Sequence, residues 1–381
     1  MSSSPTPRHN SYFILLITLV FSAVFSCRKN PIVDPPEITP VPQQTTGFYL
    51  LNEGKMGSNN ATLDFYDVET SEYRRNIYPS VNPDVVNKLG DVGNDLKIYG
   101  GKMYAVINCS NLVEVMNASD ARHRAKINVL NCRYVSFHKD KIYVSSYAGD
   151  VILNDKRLGL VLEFDTVNFR ETRRVTVGYQ PEEMAIVNGK LYVANSGGYT
   201  ASDYDRTISV IDLATFKEIY KIDVDINLHH LKTDAYNCLY VNSRGDNNEQ
   251  GSKLYVIDTQ TDKIKKTIDI NASNFCIAGD TVYVYGSDFN SSTGKTSISY
   301  HYVDVKTQSV LPGKFITDGT DAGIERPYGI AVDPVSRDVY LTDAKNYSVR
   351  GTLYCFDKLG KLKWSVTAGF IPAHLAFLLK Y

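Results

Sequence analysis

Tryptophan occurs once in the chain, at Trp364, so the repeated tryptophans expected of a quinoprotein are missing. Cysteine is scarce as well: there are six in 381 residues, and none has the C-x-x-C spacing of a dithiol redox or thiolate metal motif. Cys109, Cys132, Cys238, Cys276 and Cys355 fall mostly within apolar strand patterns and read as small core thiols, with a Cys109–Cys132 bridge left open in an oxidising compartment. Charge of one sign is not in excess. Lys and Arg number 41 against 42 Asp and Glu, so the basic surplus that nucleic-acid phosphates require is absent and that class of partner is excluded. There is no G-x-S-x-G elbow, no H-E-x-x-H and no closely spaced pair of metal-type ligands. His229-His230 is an adjacent pair whose rings, in a regular strand, point to opposite faces. Gly100-Gly101 and Gly197-Gly198 are turn glycines with no following helix to receive a phosphate.

No apolar run reaches the roughly 20 residues of a membrane-spanning helix. The longest, Tyr12 to Phe25, follows Arg8 and His9 and has the length of a signal peptide. It ends in Val24-Phe25-Ser26-Cys27, which resembles a lipobox, so Cys27 is expected to be the acylated mature N-terminus. Five prolines between Pro31 and Pro42 then make a stiff, extended tether. The expected organisation is a lipoprotein signal peptide over 1–26, a Pro-rich tether over 27–45 and one folded body over 46–381. Function is expected outside the cytoplasm, on a membrane that the chain does not span.

What the chain has in abundance is a repeat. An apolar-Tyr-apolar core recurs at Tyr49, Tyr104, Tyr143, Tyr192, Tyr240, Tyr283 and Tyr340. A second strand ending in Asp or Asn follows each, then a polar, alternating outer strand such as Glu218-Ile219-Tyr220-Lys221-Ile222. Ahead of most copies lies a short inner segment, for example Met184-Ala185-Ile186 or Ile330-Ala331-Val332. A spacing of about 46 residues with four strands per repeat predicts an all-β fold, a seven-bladed β-propeller. The first Tyr copy lacks an inner strand, while Ala373-His374-Leu375-Ala376-Phe377 is left over at the end. Circular closure by this C-terminal strand satisfies both and hides the open sheet edges. A tyrosine at the same place in every blade reads as packing between blades. Asp64, Glu114 and Glu163 are expected on solvated strand faces.

In such a ring, the loops into the inner strands and the loops between second and third strands open on one face, around the central channel. These loops are rich in Tyr, Asn, Asp, Ser and Arg, the composition of a recognition surface, although the same polar types are common in solvated turns. The candidate ligand-binding residues on this face are Tyr147, Asn195, Tyr199, Tyr204, Arg244, Asp246, Asn274, Arg326, Tyr328, Asp343 and Tyr347. No catalytic residue, resident cofactor or metal ligand is assigned.

The runs Gly178-Tyr179-Gln180-Pro181-Glu182-Glu183-Met184, Lys190-Leu191-Tyr192-Val193-Ala194-Asn195 and Arg326-Pro327-Tyr328-Gly329-Ile330 resemble the YncE-type seven-bladed propellers. With Asn52-Glu53-Gly54 and the lipobox at Cys27, the chain is similar to propeller lipoproteins of gut Bacteroidetes, most of all the BtuG-type. That resemblance implies capture of cobalamin or a related corrinoid, a TonB-dependent outer-membrane transporter as partner, and a lipid-anchored, cell-surface position. Arg28-Lys29-Asn30 departs from the acidic residues usual after the lipidated cysteine, which leaves the leaflet open. A propeller binding another ligand or a partner protein, such as a glycan-uptake accessory, and a lactonase-like enzyme are the alternatives.

Overall fold

Strands rich in Val, Ile, Leu and Tyr, punctuated by Asp-capped turns, build seven four-stranded antiparallel sheets among the described residues. The computed structural model describes residues 1–3 and 41–381, apart from Val86, Asn87, Asp155, Ser202 and Asn247. Cys27, the apolar run before it and the tether as far as Pro40 lie outside the described residues. The turn chemistry is as expected: Asp212 Oδ1 accepts from the Thr215 N–H at 2.7 Å, Asp258 from that of Gln260 at 2.9 Å and Asp304 from that of Thr307 at 2.7 Å.

Each sheet is one blade, and the ring closes as predicted. The C-terminal strand Pro372–Lys380 is the inner strand of blade 1 and pairs with Gln44–Asn52, setting Phe48 opposite Phe377 and Leu50 opposite Leu375. The inner strands of blades 2 to 7 are Gly93–Tyr99, Cys132–His138, Pro181–Val187, Leu228–Thr233, Asn274–Ala278 and Pro327–Val332. Six of the seven repeated tyrosines are buried; Tyr283 is half-buried. They link neighbours: Tyr192 of blade 4 donates its hydroxyl to Asp262 Oδ1 of blade 5 at 2.6 Å, and Tyr240 of blade 5 reaches the Val305 carbonyl beside blade 6 at 3.3 Å. At the seam, Phe48 meets Tyr340 of blade 7 edge to face at 4.9 Å.

Three expectations need correction. Asp64, Glu114 and Glu163 are buried, because neighbouring side chains replace their water: Asp64 accepts from Tyr73 at 2.7 Å, Glu114 from Tyr78 at 2.7 Å, and Glu163 is gripped by Thr172 and Arg173. The segment from Ser287 to Lys295, which its Ser, Asn and Gly content leads one to expect as a loop between the second and third strands of blade 6, is mostly strand. Strands Thr281–Asn290 and Lys295–Asp304 pair without a break, so blade 6 carries a long hairpin. Cys109, read as a core thiol, is exposed, and it and the buried Cys132 are separate thiols.

Deleting residues 371–381 removes the strand that covers Phe48, Tyr49 and Leu50 and leaves an unpaired edge. The expected loss is at least about 5 kcal/mol, comparable to a whole domain's stability. Thermal unfolding of the truncated chain should show aggregation or no cooperative transition, and an unchanged melting temperature would refute closure.

Candidate functional site

The site begins with a backbone irregularity that recurs around the ring. In blades 2, 3, 4, 5 and 7 the pairing of inner and second strands slips where the inner strand begins, and blade 1 slips at Pro372 to His374. A β-bulge of this kind sets two residues against one and re-aims their side chains. The bulged pairs include Arg133-Tyr134, Glu182-Glu183, His229-His230 and Tyr328-Gly329. His229 and His230 therefore do not point to opposite faces as regular alternation predicted; their ring centroids are 4.0 Å apart.

The bulges are wired to one another. Freed N–H groups of Tyr134, His230 and Gly329 donate to Ser145 Oγ, Asn242 Oδ1 and Thr342 Oγ1, at 3.0, 2.7 and 2.7 Å. Those same side chains donate onward to the next blade: Ser145 to the Glu182 carbonyl at 2.9 Å, Asn242 to that of Ser273 at 3.1 Å and Thr342 to that of Pro372 at 2.6 Å.

Around the channel mouth, a cavity of about 410 Å³ is lined by Asn94, Arg133, Tyr134, His229, Ser273, Asn274, Tyr328 and His374, and by the loop residues Glu53, Tyr199, Arg244, Arg326 and Tyr347, among others. A second hollow, of about 500 Å³, lies between the loops of blades 5 and 6 and shares Arg244 and Asp288 with the first.

Two buried carboxylates organise the charge. Glu182 is held by Arg133 Nε at 3.0 Å, by the Tyr147 hydroxyl at 2.6 Å and by Arg244 at 3.5 Å. Glu183 takes Lys232 at 2.8 Å, His230 Nδ1 at 2.9 Å and Lys97 at 3.8 Å. Burial alone would raise the Glu183 carboxyl, but Lys232, His230 and Lys97 hold it well below the usual range. Burial pushes His229 well below its ordinary value, with His230, Arg244 and Arg133 adding to the effect, so it is neutral. Burial also keeps Tyr134 a phenol, whose hydroxyl lies 2.8 Å from His229 Nε2; the remaining ring nitrogen, Nδ1, is buried without a partner.

Of the eleven candidates, Tyr199, Arg244, Asn274, Arg326, Tyr328 and Tyr347 lie on the cavity wall. Tyr147 is behind it, sandwiched between the Arg133 guanidinium at 4.9 Å and the edge of Tyr199. Asn195 is buried and donates to Thr207 and Ser209. Asp343 is buried under the loops, and Asp246 caps its own turn through the N–H groups of Asn248 and Gln250. Tyr204 is half-buried and off the wall. The candidate list omits Arg133, Tyr134, Glu182, Glu183, His229 and His230. Their signal was present: each stands one or two residues before Val135, Met184 or Leu231, the corresponding apolar residue of its inner strand, a position that aligning the repeats would have isolated.

Among the described residues, no three His, Cys, Asp or Glu side chains are grouped to hold a metal ion. By structure the chain is similar to the periplasmic gluconolactonase of Pseudomonas aeruginosa, at 12% identity and a TM-score of 0.60 over 87% of this chain and 99% of that one. It is also similar to a quinonprotein alcohol dehydrogenase-like protein from Bacteroides thetaiotaomicron, at 16% identity and a TM-score of 0.57 over 87% and 78% of the two chains. Hydrazine synthase of Kuenenia stuttgartiensis matches at 15% and 0.57, over 74% and 89%. At these identities the likeness extends to the fold alone. No curated protein matches the chain by sequence. The profile of a family described as a domain of unknown function, DUF5074, matches residues 46–369.

His229 and His230 are both held below the ordinary histidine value in the folded chain. Between about pH 6.5 and 5.5 the unfolded chain binds protons there that the folded chain refuses, so stability falls as pH falls, by up to about 1.4 kcal/mol per pH unit for each ring. Denaturant titrations across this window should show that slope, and His229→Gln should flatten it; equal slopes would show that His229 is charged in the fold.

Proposed function

The chain belongs to the family of DUF5074 domains, and we propose that this member captures a large, amide-bearing ligand of the cobalamin type across its channel mouth and passes it to a TonB-dependent outer-membrane transporter. The observation that carries this reading is a pair of neighbouring hollows that share Arg244 and Asp288, which together would seat a ligand too broad for a closed cleft. A cavity of about 410 Å³ is near the lower end of the roughly 300–1,000 Å³ common for small-molecule sites. A corrinoid would therefore lie across the two hollows with one edge inserted. Tyr199 and Tyr347 are exposed at the rim, where they suit its apolar faces, while Asn274, Arg244 and Arg326 suit its amides.

Binding is also favoured over catalysis by the pairing of Glu182 and Glu183. Each is committed to cations, which leaves neither free as a general base or as a ligand of the axial metal that a lactonase-like reaction would need. The first strand runs from Gln44 to Asn52 and delivers Glu53 to the cavity wall, so the chain joins the ring at the face away from the cavity. Acylation at Cys27 would tether the protein to the outer membrane.

Calorimetry of the full chain with cyanocobalamin tests the proposal. Binding at micromolar concentration or tighter is expected, weakened about 10- to 100-fold by Tyr199→Ala with Arg244→Ala. Absence of binding, or undiminished binding by that variant, would overturn it in favour of another ligand or a protein partner.

A further inference from the structure

The cations around the cavity are not equivalent. Arg133 and Arg244 share Glu182, and Lys232 pairs with Glu183. Arg326 lines the same cavity half-buried, with its guanidinium in hydrogen-bonding reach of the Tyr347 hydroxyl; among the described residues no carboxylate lies within ion-pair distance of that guanidinium, and its Nε atom is buried with no hydrogen-bond partner. A buried charged donor left unsatisfied is costly, and such groups are normally paired.

Its surroundings hold it ready. The guanidinium carbon lies 5.0 Å from the centre of the Tyr347 ring, and Tyr328 meets that ring edge to face at 5.9 Å. Lys345 and Tyr347 both adopt left-handed backbone conformations, at φ 52° and 61°, which non-glycine residues avoid unless the surroundings impose them. Asp343 holds the turn at Lys345, and the Tyr347 N–H donates back to the Ala344 carbonyl at 2.9 Å. Asp343 Oδ1 accepts from the N–H of Arg326 at 2.9 Å and from that of Lys345 at 2.8 Å, clamping the two segments that carry the guanidinium and the ring. The Asp343 charge is itself met by Lys345 Nζ at 2.7 Å, so it does not satisfy Arg326. Asp343 is thus a positioning residue.

We infer that Arg326 is the seat of an anionic group on the ligand, a phosphate or carboxylate oxyanion bound by the planar guanidinium against Tyr347. This rests on the channel mouth being a ligand site and adds that the ligand carries negative charge. A flat fork of N–H donors matches two oxygens of one oxyanion, which a neutral amide rim cannot supply.

The test follows the arginine Nε–H resonances of the labelled full chain by NMR while inorganic phosphate and acetate are added separately. One resonance should move saturably at millimolar anion and be missing, with its response, from Arg326→Gln. The stronger response identifies the source, phosphate or carboxylate. Arg326→Lys, which keeps the charge and loses the fork, should weaken phosphate binding about tenfold, measured by calorimetry. No moving resonance, or a response that survives in Arg326→Gln, would overturn the inference. Cyanocobalamin failing to bind while phosphate still acts on Arg326 would sink the corrinoid reading and leave the anion seat standing.

Discussion

The arrangement on which the rest depends is the bulge at the start of the inner strands, together with the side chain that catches its freed N–H. A buried N–H without an acceptor costs about 1–3 kcal/mol. Ser145, Asn242 and Thr342 remove that cost and use their remaining capacity to hold the next blade's backbone. The same contacts therefore bind blade to blade and fix where the channel-facing pairs point. Without the slip in register, only every second residue would face the axis.

This device separates scaffold from site. Apolar strands, repeated tyrosines and capped turns recur from blade to blade, while the first residue of each bulged or equivalent pair differs: Asn94, Arg133, Glu182, His229, Ser273, Tyr328 and Ala373. All but Glu182 line the cavity, and Glu182 anchors the two arginines beside it. Specificity can change at these positions without disturbing the ring, since their backbone is held by the second strands. Beyond these positions, the blade 6 hairpin adds Ser287 and Asp288 to the wall and the Asp343-clamped turn adds Tyr347.

The ring was legible because its signals are periodic. Tyrosine spacing, Asp-capped turns and the leftover Ala373–Phe377 segment gave blade number and closure, all borne out by the seven sheets and the pairing of Phe48 with Phe377. The site was legible in part. Loop composition pointed to Tyr199, Arg244, Arg326 and Tyr347, but alternation by twos misled wherever a bulge intervened, as at His229-His230. Burial misled too: Asp343 and Asn195 carry the polar character of binding residues, yet both are spent on holding backbone or neighbouring side chains. Asp64, Glu114 and Glu163 looked solvated because the tyrosines, threonine and arginine that satisfy them lie 9 to 36 residues away in sequence.

A crystal structure of the full chain grown with cyanocobalamin tests most directly whether the bulged ring builds a capture site. The account predicts ligand density lying across the two hollows, between Tyr199, Arg244 and Tyr347, with the ring itself unmoved. Density on the opposite face, or an empty mouth at saturating ligand, would contradict it.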